Sequence, residues 1–394
     1  MHVYPARASI VPVGQARPFL GVPVLVAIPV KDEAERIGMC LRALADQKGG
    51  AADAVVLVVN NTRDGSAEVA RALTPELPFV LHVIVHDFPA GLTCAGQARR
   101  VATEHAAALA SGRGDGRGAL LTTDADGQVA PDWIRQNLAH VAAGAEAVAG
   151  RAILDPADAV LIPARLHDDD ARECAYAAVL DEIASLLDPD PWDLPPRHAE
   201  HSGASICVTL DAYRRAGGMP AAPLGEDRAF FAALRRVDAR IRHAPDVQVT
   251  VSGRMQGRAP GGMADTIRRR LTQPDAWLDD ALEPATAAVR RARLRGNLRR
   301  AFALGTARAV VTRGVARELG LPVEAVTAAL ETPWFGEAWA RLEGCSPVLA
   351  RAPVAVADLP GEMARALRER DALRRRAQDG GGASVPDLAA AAPV

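Results

Sequence analysis

Short apolar runs alternate with helical patterns along the first third of the chain. The runs at residues 22–30 and 54–59 are rich in valine and bounded by polar residues, which is typical of strands buried on both faces. Further runs occupy residues 80–85 and 119–123, and helical spacing of apolar residues predicts helices at residues 35–45, 66–73 and 97–109. This alternation predicts an α/β fold with a mostly parallel sheet flanked by helices.

The rhythm changes beyond residue 155. A helix is predicted at residues 170–187, where Asp168, Asp169 and Asp170 favour its N-terminus, and a proline-rich stretch follows. Beyond Gly262 the pattern is helical, and from residue 378 Gly, Ala and Pro predominate, which predicts disorder. The predicted domains are an N-terminal arm at 1–22, an α/β domain at 23–260, a C-terminal helical region at 261–377 and a disordered tail at 378–394.

The composition limits the classes of partner. The 394 residues are 49% hydrophobic and 24% charged, as in globular proteins, while a net charge of -2 and an aromatic fraction of 4% argue against nucleic acid. Five scattered cysteines form neither zinc pairs nor a disulfide scaffold, so a reducing cytoplasm is expected. The longest apolar run, residues 21–30, is too short for a membrane span and no signal pattern is present, so membrane contact is expected to be at most peripheral.

Two carboxylates stand at the exit of the strand predicted at residues 119–123. Asp124 and Asp126 are two positions apart, so on an extended chain their side chains point the same way. Open α/β sheets bind ligands at such strand ends, where this pair can hold Mg²⁺ or Mn²⁺ and leave positions open for phosphate oxygens. The pair therefore predicts a divalent cation and a phosphorylated ligand.

A second acidic pair opens a predicted helix. Glu226 and Asp227 precede an apolar stripe that includes Phe230 and Leu234, in the first turn where the helix dipole favours negative charge. Capping explains this pair by itself. In combination with the pair at the strand end, it also indicates a carboxylate that takes a proton.

Three further features are weaker indications of function than the two acidic pairs. Residues 112–118 are glycine-rich but lack the ending of a phosphate loop and precede a strand, so a surface turn is predicted. His198 and His201 lack the partners of a zinc site. Arginines crowd residues 290–300 on a predicted amphipathic helix, which indicates either a solvated face or contact with an anionic membrane or lipid-linked acceptor.

The order of the motifs resembles glycosyltransferase family 2 with the GT-A fold, over residues 23–258. Residues 24–33, VLVAIPVKDE, are similar to the family's apolar strand, Pro and Asn-Glu loop, with Asp32 at the Asn position. Residues 58–66, VVNNTRDGS, are similar to its second strand and Asp-Asp-Gly-Ser loop, with Asn60 at the first acid. Residues 96–100, GQARR, are similar to its Gly-x-Ala-Arg-Asn segment.

The resemblance implies a nucleotide site on the first two loops. Pro29, Lys31 and Glu33 match the first loop, and Asn60 takes the place that contacts the base, where its amide oxygen can accept from a base N–H. Arg99 is implied to lie near the same nucleotide-binding face.

The resemblance also implies how the two acidic pairs divide the chemistry. Asp124 and Asp126 match the family's Asp-x-Asp motif, which implies that Mg²⁺ or Mn²⁺ bridges them to the diphosphate. Glu226 and Asp227 match the pair near the acceptor, and Asp227 is implied to be the base that removes the acceptor's hydroxyl proton.

A third metal ligand is missing where some relatives carry a histidine. This chain reads VTVSGR at residues 249–254, and His243 lies earlier and could substitute only if the loop took a different path. Arg254 and Arg258 have the fork geometry that suits phosphate or an anionic acceptor, with ordinary surface salt bridges as the alternative.

The resemblance thus implies a metal-dependent, hexosyltransferase-type enzyme that moves a sugar from a nucleoside-diphosphate sugar to a small or lipid-linked hydroxyl acceptor. Two alternatives stay open. A haloacid-dehalogenase-type phosphatase also places Asp-x-Asp at a strand end, although Gln128 stands where that motif has Thr or Val. A catalytically silent protein could bind the nucleotide sugar without turnover. The base, the sugar, the stereochemical outcome and a homodimeric state also stay open.

Overall fold

The computed structural model describes residues 7–11, 21–112, 116–255, 257, 261–303 and 308–379. Arg258, the centre of the glycine-rich turn and residues 380–394 of the predicted tail lie outside the described residues. The chain divides into two compact units. Unit 1 consists of Met1–Asp169, Asp190–Pro274 and Thr327–Leu342, and unit 2 consists of Asp170–Pro189, Asp275–Val326 and Glu343–Val394.

Strands and helices are interspersed through the described chain as far as residue 251, and its regular elements from residue 263 onward are helical. The strands are β1 (Arg7–Val11), β2 (Val24–Val30), β3 (Ala54–Asn60), β4 (Val80–His86), β5 (Ala119–Thr122), β6 (Gln128–Val129), β7 (Ala147–Leu154), β8 (Ile206–Thr209) and β9 (Ile241–Val251). The helices are α1 (Ile37–Ala45), α2 (Ser66–Ala72), α3 (Ala95–Ser111), α4 (Trp133–Ala142), α5 (Pro156–Ala159), α6 (Ala164–Leu187), α7 (Leu210–Arg215), α8 (Glu226–Arg236), α9 (Met263–Thr272), α10 (Ala285–Ala303), α11 (Arg308–Leu319), α12 (Val323–Ala329), α13 (Phe335–Cys345) and α14 (Leu359–Asp379).

The strands form one sheet in unit 1, in the order β1-β4-β3-β2-β5-β8-β7-β9-β6 within the described residues. β2 lies between β3 and β5 and is parallel to both, with Pro29 opposite Val58 and Ala27 opposite Thr122. β8 is antiparallel to β5 and β7, so the sheet is mixed. The predicted α/β class with C-terminal helices is confirmed. The parallel register brings the carboxyl ends of β2, β3 and β5 to the same edge of the sheet.

Helices cover both faces of this sheet. Alternate side chains of a strand point to opposite faces, so Val26 and Ile28 of β2 pack with the apolar sides of α1 and α4, whereas Leu25 and Ala27 pack with α3 and α8. The buried side of α3 is built from alanines at Ala98, Ala102, Ala106 and Ala110. These small side chains let α3 lie close against the sheet, next to the strand ends.

The predicted strands and the helices between them are present, with shifted ends. The predicted start of the helix at residue 170 is wrong, because α6 begins at Ala164, directly after Pro163. Proline suits a helix start because its missing N–H has no intrahelical partner there anyway. Because α6 begins before the aspartates at 168–170, these residues lie inside the helix. β1, β6, β7, β8 and β9 add to the predicted strands, and a register shift between Gly150 and Arg151 interrupts the apolar pattern of β7.

Unit 2 has an apolar core of its own, which includes Tyr176, Ile183 and Leu282. The hydroxyl of Tyr176 donates to the carbonyl of Glu283 at 2.9 Å. In the arginine-rich helix α10, Arg295 and Arg299 both pair with the buried carboxylate of Asp188 at 2.7 Å, so internal ion pairs neutralise part of the predicted basic face. None of the described helices has the length and apolar character needed to cross a membrane.

Candidate active site

A cavity of about 340 Å³ lies in unit 1 where β2, β3 and β5 end. Its polar and charged lining consists of Lys31, Glu33, Asn60, Arg99, Asp124, Asp126, Ser202, Asp227, Ser252 and Arg254, and Pro29 lines it as well. Of the predicted site residues within the described chain, Glu226 is the one outside this lining. The fold therefore gathers residues from distant parts of the sequence into one pocket.

The loops after β2 and β3 hold each other in place. The amide of Glu33 donates to Ser66 Oγ at 2.8 Å, and the amide of Arg63 donates to Asp32 Oδ1 at 2.8 Å. Asp32 has φ 53, in the left-handed region that Asp adopts more readily than most other residues. The cross-links fix the backbone that presents Lys31 and Glu33 to the cavity.

Asn60 ends β3 and is almost fully buried at the cavity wall. Its amide nitrogen Nδ2 donates to the carbonyl of Cys94 at 3.2 Å, which fixes the orientation of the amide. Within the described residues, its Oδ1 has no hydrogen-bond partner. Because a buried polar atom without a partner costs free energy, this oxygen is an acceptor available to a ligand.

Arg99 joins the two acidic pairs. Its buried guanidinium donates from Nε to Glu226 Oε1 at 3.0 Å, from Nη1 to the carbonyl of Gly203 at 2.7 Å and from Nη2 to Asp124 Oδ1 at 2.6 Å. Burial alone would lower the pKa of Arg99, but the carboxylates of Asp124 and Glu226 outweigh that effect and raise it. Arg99 therefore stays a cation in the wall of the cavity.

Glycines make these contacts possible. A Cβ on Gly203 would lie 2.6 Å from Arg99 Nη2, and a Cβ on Gly96 would lie 2.4 Å from the carbonyl oxygen of Ala222. The close approach of the start of α3 to the loop that precedes α8 thus requires glycine in the Gly-x-Ala-Arg segment.

The second acidic pair is divided between two tasks. Gly225, at φ 69, turns the chain into α8, which begins with Glu226. Glu226 is buried against Arg99, whereas Asp227 faces the cavity. Two backbone amides orient the Asp227 carboxylate, with Gly203 donating to Oδ2 at 3.0 Å and Arg228 donating to Oδ1 at 2.7 Å.

Arg254 lies beside the acidic pair Asp124 and Asp126. Its Nη1 donates to Glu33 Oε2 at 2.8 Å, its Nη2 donates to Glu33 Oε1, and Nη2 is 3.2 Å from Asp126 Oδ2. The bond to Glu33 raises the pKa of Arg254, although burial opposes the shift. Burial raises the pKa of Asp126 to about 6, with a further contribution from Asp124. Like-charged carboxylates are therefore crowded here even with Arg254 in place.

Asp124 and Asp126 are the residues that could hold Mg²⁺ or Mn²⁺. In the part of the chain that the structure describes, no three or more His, Cys, Asp or Glu side chains are arranged to hold a metal ion. The pair still fits a hard cation that binds through one or two carboxylates and completes its shell with phosphate oxygens and water. His243 lies elsewhere, with Nδ1 2.7 Å from Asp193 Oδ2 and Nε2 3.1 Å from His201 Nε2.

Several residues that line the pocket lie outside the predicted motifs. Ser202 and Gly203 line it directly after His201, and Ser252 lines it beside Arg254. Asp158 fixes the latter segment, since its Oδ2 accepts from Ser252 Oγ and from the amide of Gly253, both at 2.9 Å. The glycine at position 203 was the available sequence signal, but small residues in loops are too common to single it out.

Comparison with known proteins finds a family match in the N-terminal part of the chain. Residues 25–172 match the family model described as Glycosyl transferase family 2. Among curated proteins, comparison finds no match.

Similar solved structures have low sequence identity. TarS 1–349 from S. aureus in complex with UDP is 12% identical, with TM-score 0.43 and coverage of 91% of this chain and 92% of that chain. The mannosyltransferase PcManGT from Pyrobaculum calidifontis in complex with GDP-Man and Mn²⁺ is 16% identical, with TM-score 0.40 and coverage of 91% and 88%. Glucosyl-3-phosphoglycerate synthase from Mycobacterium tuberculosis in complex with Mn²⁺, UDP and phosphoglyceric acid is 16% identical, with TM-score 0.36 and coverage of 65% and 81%.

Proposed function

We propose that this chain, which belongs to glycosyltransferase family 2 through residues 25–172, moves a sugar from a nucleoside-diphosphate sugar to a hydroxyl acceptor with the help of Mg²⁺ or Mn²⁺. The observation that carries the proposal is that Asp124, Asp126, Asp227 and Arg254 line one cavity at the carboxyl ends of parallel strands. A small or lipid-linked acceptor in the cytoplasm is the setting that we propose for the reaction.

On the donor side, the nucleotide would lie against the loops after β2 and β3. Pro29, Lys31 and Glu33 form one wall, and the unpartnered Oδ1 of Asn60 would accept from a base N–H. Lys31 and Arg254 would offset the negative charge of the diphosphate. Asp124 and Asp126 would hold the cation, which when bound neutralises charge that develops on the departing diphosphate.

On the acceptor side, Asp227 would take the hydroxyl proton. Its carboxylate lines the cavity and is oriented by the amides of Gly203 and Arg228. Arg99 contacts both Asp124 and Glu226, so it would fix the spacing between the donor side and the acceptor side. Among the described residues, no hydrogen bond or ion pair joins Asp227 to Arg99, so its loss should leave that framework in place.

Replacement of Asp227 tests this assignment. General bases contribute about 10²–10⁴-fold to rate, so Asp227→Asn should reduce transfer by that factor while donor affinity changes by less than about threefold. The matched control is Asp211→Asn, because Asp211 also lies in the first turn of a helix in unit 1 but faces solvent and Arg215. Transfer at the wild-type rate by Asp227→Asn would contradict its role as the base.

The donor class is tested by thermal unfolding with nucleoside diphosphates and their sugars, with and without Mn²⁺. A ligand that binds the native state raises its stability by mass action, so a hit that requires the cation supports the proposal. A silent binding protein would give the same shift without transfer, and a phosphatase would release inorganic phosphate. Absence of a shift with every sugar nucleotide would refute the proposed function.

A further inference from the structure

The segment that follows β9 places the guanidinium of Arg254 beside Asp126, one of the two carboxylates that could hold a metal ion. Asp158 holds Ser252 and Gly253 through its Oδ2 at 2.9 Å, and the amide of Arg254 donates to Ser252 Oγ at 3.2 Å. The backbone of Arg254 is thereby anchored by hydrogen bonds on the residues before it. Its side chain is 19% exposed, so the guanidinium is largely enclosed by protein.

The guanidinium itself is shared between two carboxylates. Both oxygens of Glu33 accept from it in a fork, and the same Nη2 that contacts Glu33 lies 3.2 Å from Asp126 Oδ2. Glu33 is 6% exposed, so water cannot replace the guanidinium easily there, whereas Asp126 at 18% is more open. The contact with Glu33 therefore acts as the anchor, and the contact with Asp126 is the one that can be exchanged.

We infer that Arg254 competes with the divalent cation for Asp126, so that the cation binds weakly alone and well only together with the nucleoside diphosphate. The inference rests on the proposed function. A guanidinium and a divalent ion on the same carboxylate repel each other, which weakens cation binding in the absence of nucleotide. A diphosphate offers a new acceptor for the Nη2 of Arg254 and so releases Asp126 for the cation, while the contact with Glu33 is kept.

This coupling gives Arg254 a role different from that of a simple phosphate contact. It is a positioning residue whose charge is needed twice, first to offset the carboxylates of Glu33 and Asp126 and then to meet the diphosphate. Binding of nucleotide and cation becomes mutually dependent, since each favours the other through the same side chain. A protein that lacked this charge would hold the cation without nucleotide.

The test compares the Mn²⁺ affinity of the wild-type protein with that of Arg254 variants, all without nucleotide. Titration calorimetry and electron paramagnetic resonance of free Mn²⁺ measure this affinity. Arg254→Met should bind Mn²⁺ about tenfold more tightly than wild type, because a positive charge beside the site is removed. Arg254→Lys keeps the charge and should stay within about threefold of wild type. Adding UDP or GDP should raise the Mn²⁺ affinity of wild type much more than that of Arg254→Met.

Arg215→Met is the matched control. Arg215 is 23% exposed and also pairs with two carboxylates of unit 1, Glu146 at 3.0 Å and Asp211 at 2.7 Å, but it does not line the cavity. Its replacement should leave Mn²⁺ affinity unchanged. If loss of the buried partner of Glu33 unfolds Arg254→Met, Arg254→Gln removes the charge but keeps an amide that can donate to Glu33, and it should show the same gain.

Equal or weaker Mn²⁺ binding by a folded Arg254→Met or Arg254→Gln would overturn the inference, as would absence of Mn²⁺ binding in both wild type and variant. This comparison needs no sugar nucleotide, so its failure can be distinguished from a failure of the proposed function. Failure of every sugar nucleotide to bind would refute the transferase proposal even if the Mn²⁺ affinities differed as expected.

Discussion

Arg99 is the cation that holds the candidate site together, and its replacement by methionine gives a quantitative test. Its side chain is 4% exposed and that of Glu226 is 11% exposed, so Arg99→Met would leave Glu226 as a buried carboxylate without its partner. Breaking a buried ion pair from one side costs about 3–5 kcal/mol. Methionine keeps much of the apolar volume of the arginine stem, so the change isolates the charge and the hydrogen bonds.

The other two partners of Arg99 add little to this magnitude. Asp124 is 35% exposed, so water can replace much of its contact with the guanidinium. The carbonyl of Gly203 accepts from Arg99 Nη1 at 2.7 Å but also from Thr122 Oγ1 at 2.7 Å, so it keeps a partner when the guanidinium is removed. We therefore expect the free energy of unfolding of unit 1 to fall by about 3–5 kcal/mol. Adding Glu226→Gln should restore part of the loss, since the unpaired charge is then gone.

Hydrogen exchange of the buried amides of β2 and β5 at increasing urea concentration measures this loss in unit 1. The neighbouring residue gives the control. Arg100 forms an exposed pair with Glu104 at 2.8 Å on the same helix, so Arg100→Met should cost less than about 0.5 kcal/mol. A loss below about 1 kcal/mol for Arg99→Met, or an equal loss for both variants, would refute the reasoning.

Two further predictions concern packing and pH. Gly96→Ala should destabilise unit 1 by about 1–3 kcal/mol, because its Cβ would lie 2.4 Å from a backbone carbonyl. The control is Gly38→Ala in α1, which should be neutral or stabilising because its nearest new contact is at 3.4 Å. Urea denaturation measures both changes. Burial and Arg235 lower the pKa of His201 to about 2, below its unfolded value, so stability should fall as pH drops below about 6.5. Urea denaturation at pH 7 and pH 5 should show a loss of about 1–2 kcal/mol that His201→Asn removes.

Local patterns sufficed for the part of the site that follows from strand geometry. Buried strands in an α/β alternation place their carboxyl ends together, so Asp124 and Asn60 could be predicted to meet at one edge of the sheet before any contact was known. The parallel pairing of β2 with β3 and β5 is the structural reason. The start of α8 at Glu226 likewise follows from the apolar stripe behind it.

The partners of the arginines could not be predicted in this way. Arg99 and Glu226 are 127 residues apart, and Arg254 and Glu33 are 221 residues apart. Periodicity describes only neighbouring turns of one element, and the arginine-rich composition of the chain hides the few arginines that are buried. The distinguishing property of Arg99 and Arg254 is burial against carboxylates, which requires the fold.

The adjacent acids Glu226 and Asp227 show how the fold assigns different tasks to equivalent residues. Successive helical residues are about 100° apart around the axis, so two neighbouring carboxylates cannot face the same point. Glu226 turns inward to Arg99, and Asp227 turns toward the cavity and the amide of Gly203. Replacing Glu226 should therefore lower stability first and activity through the displacement of Arg99, whereas replacing Asp227 should lower activity with little change in stability.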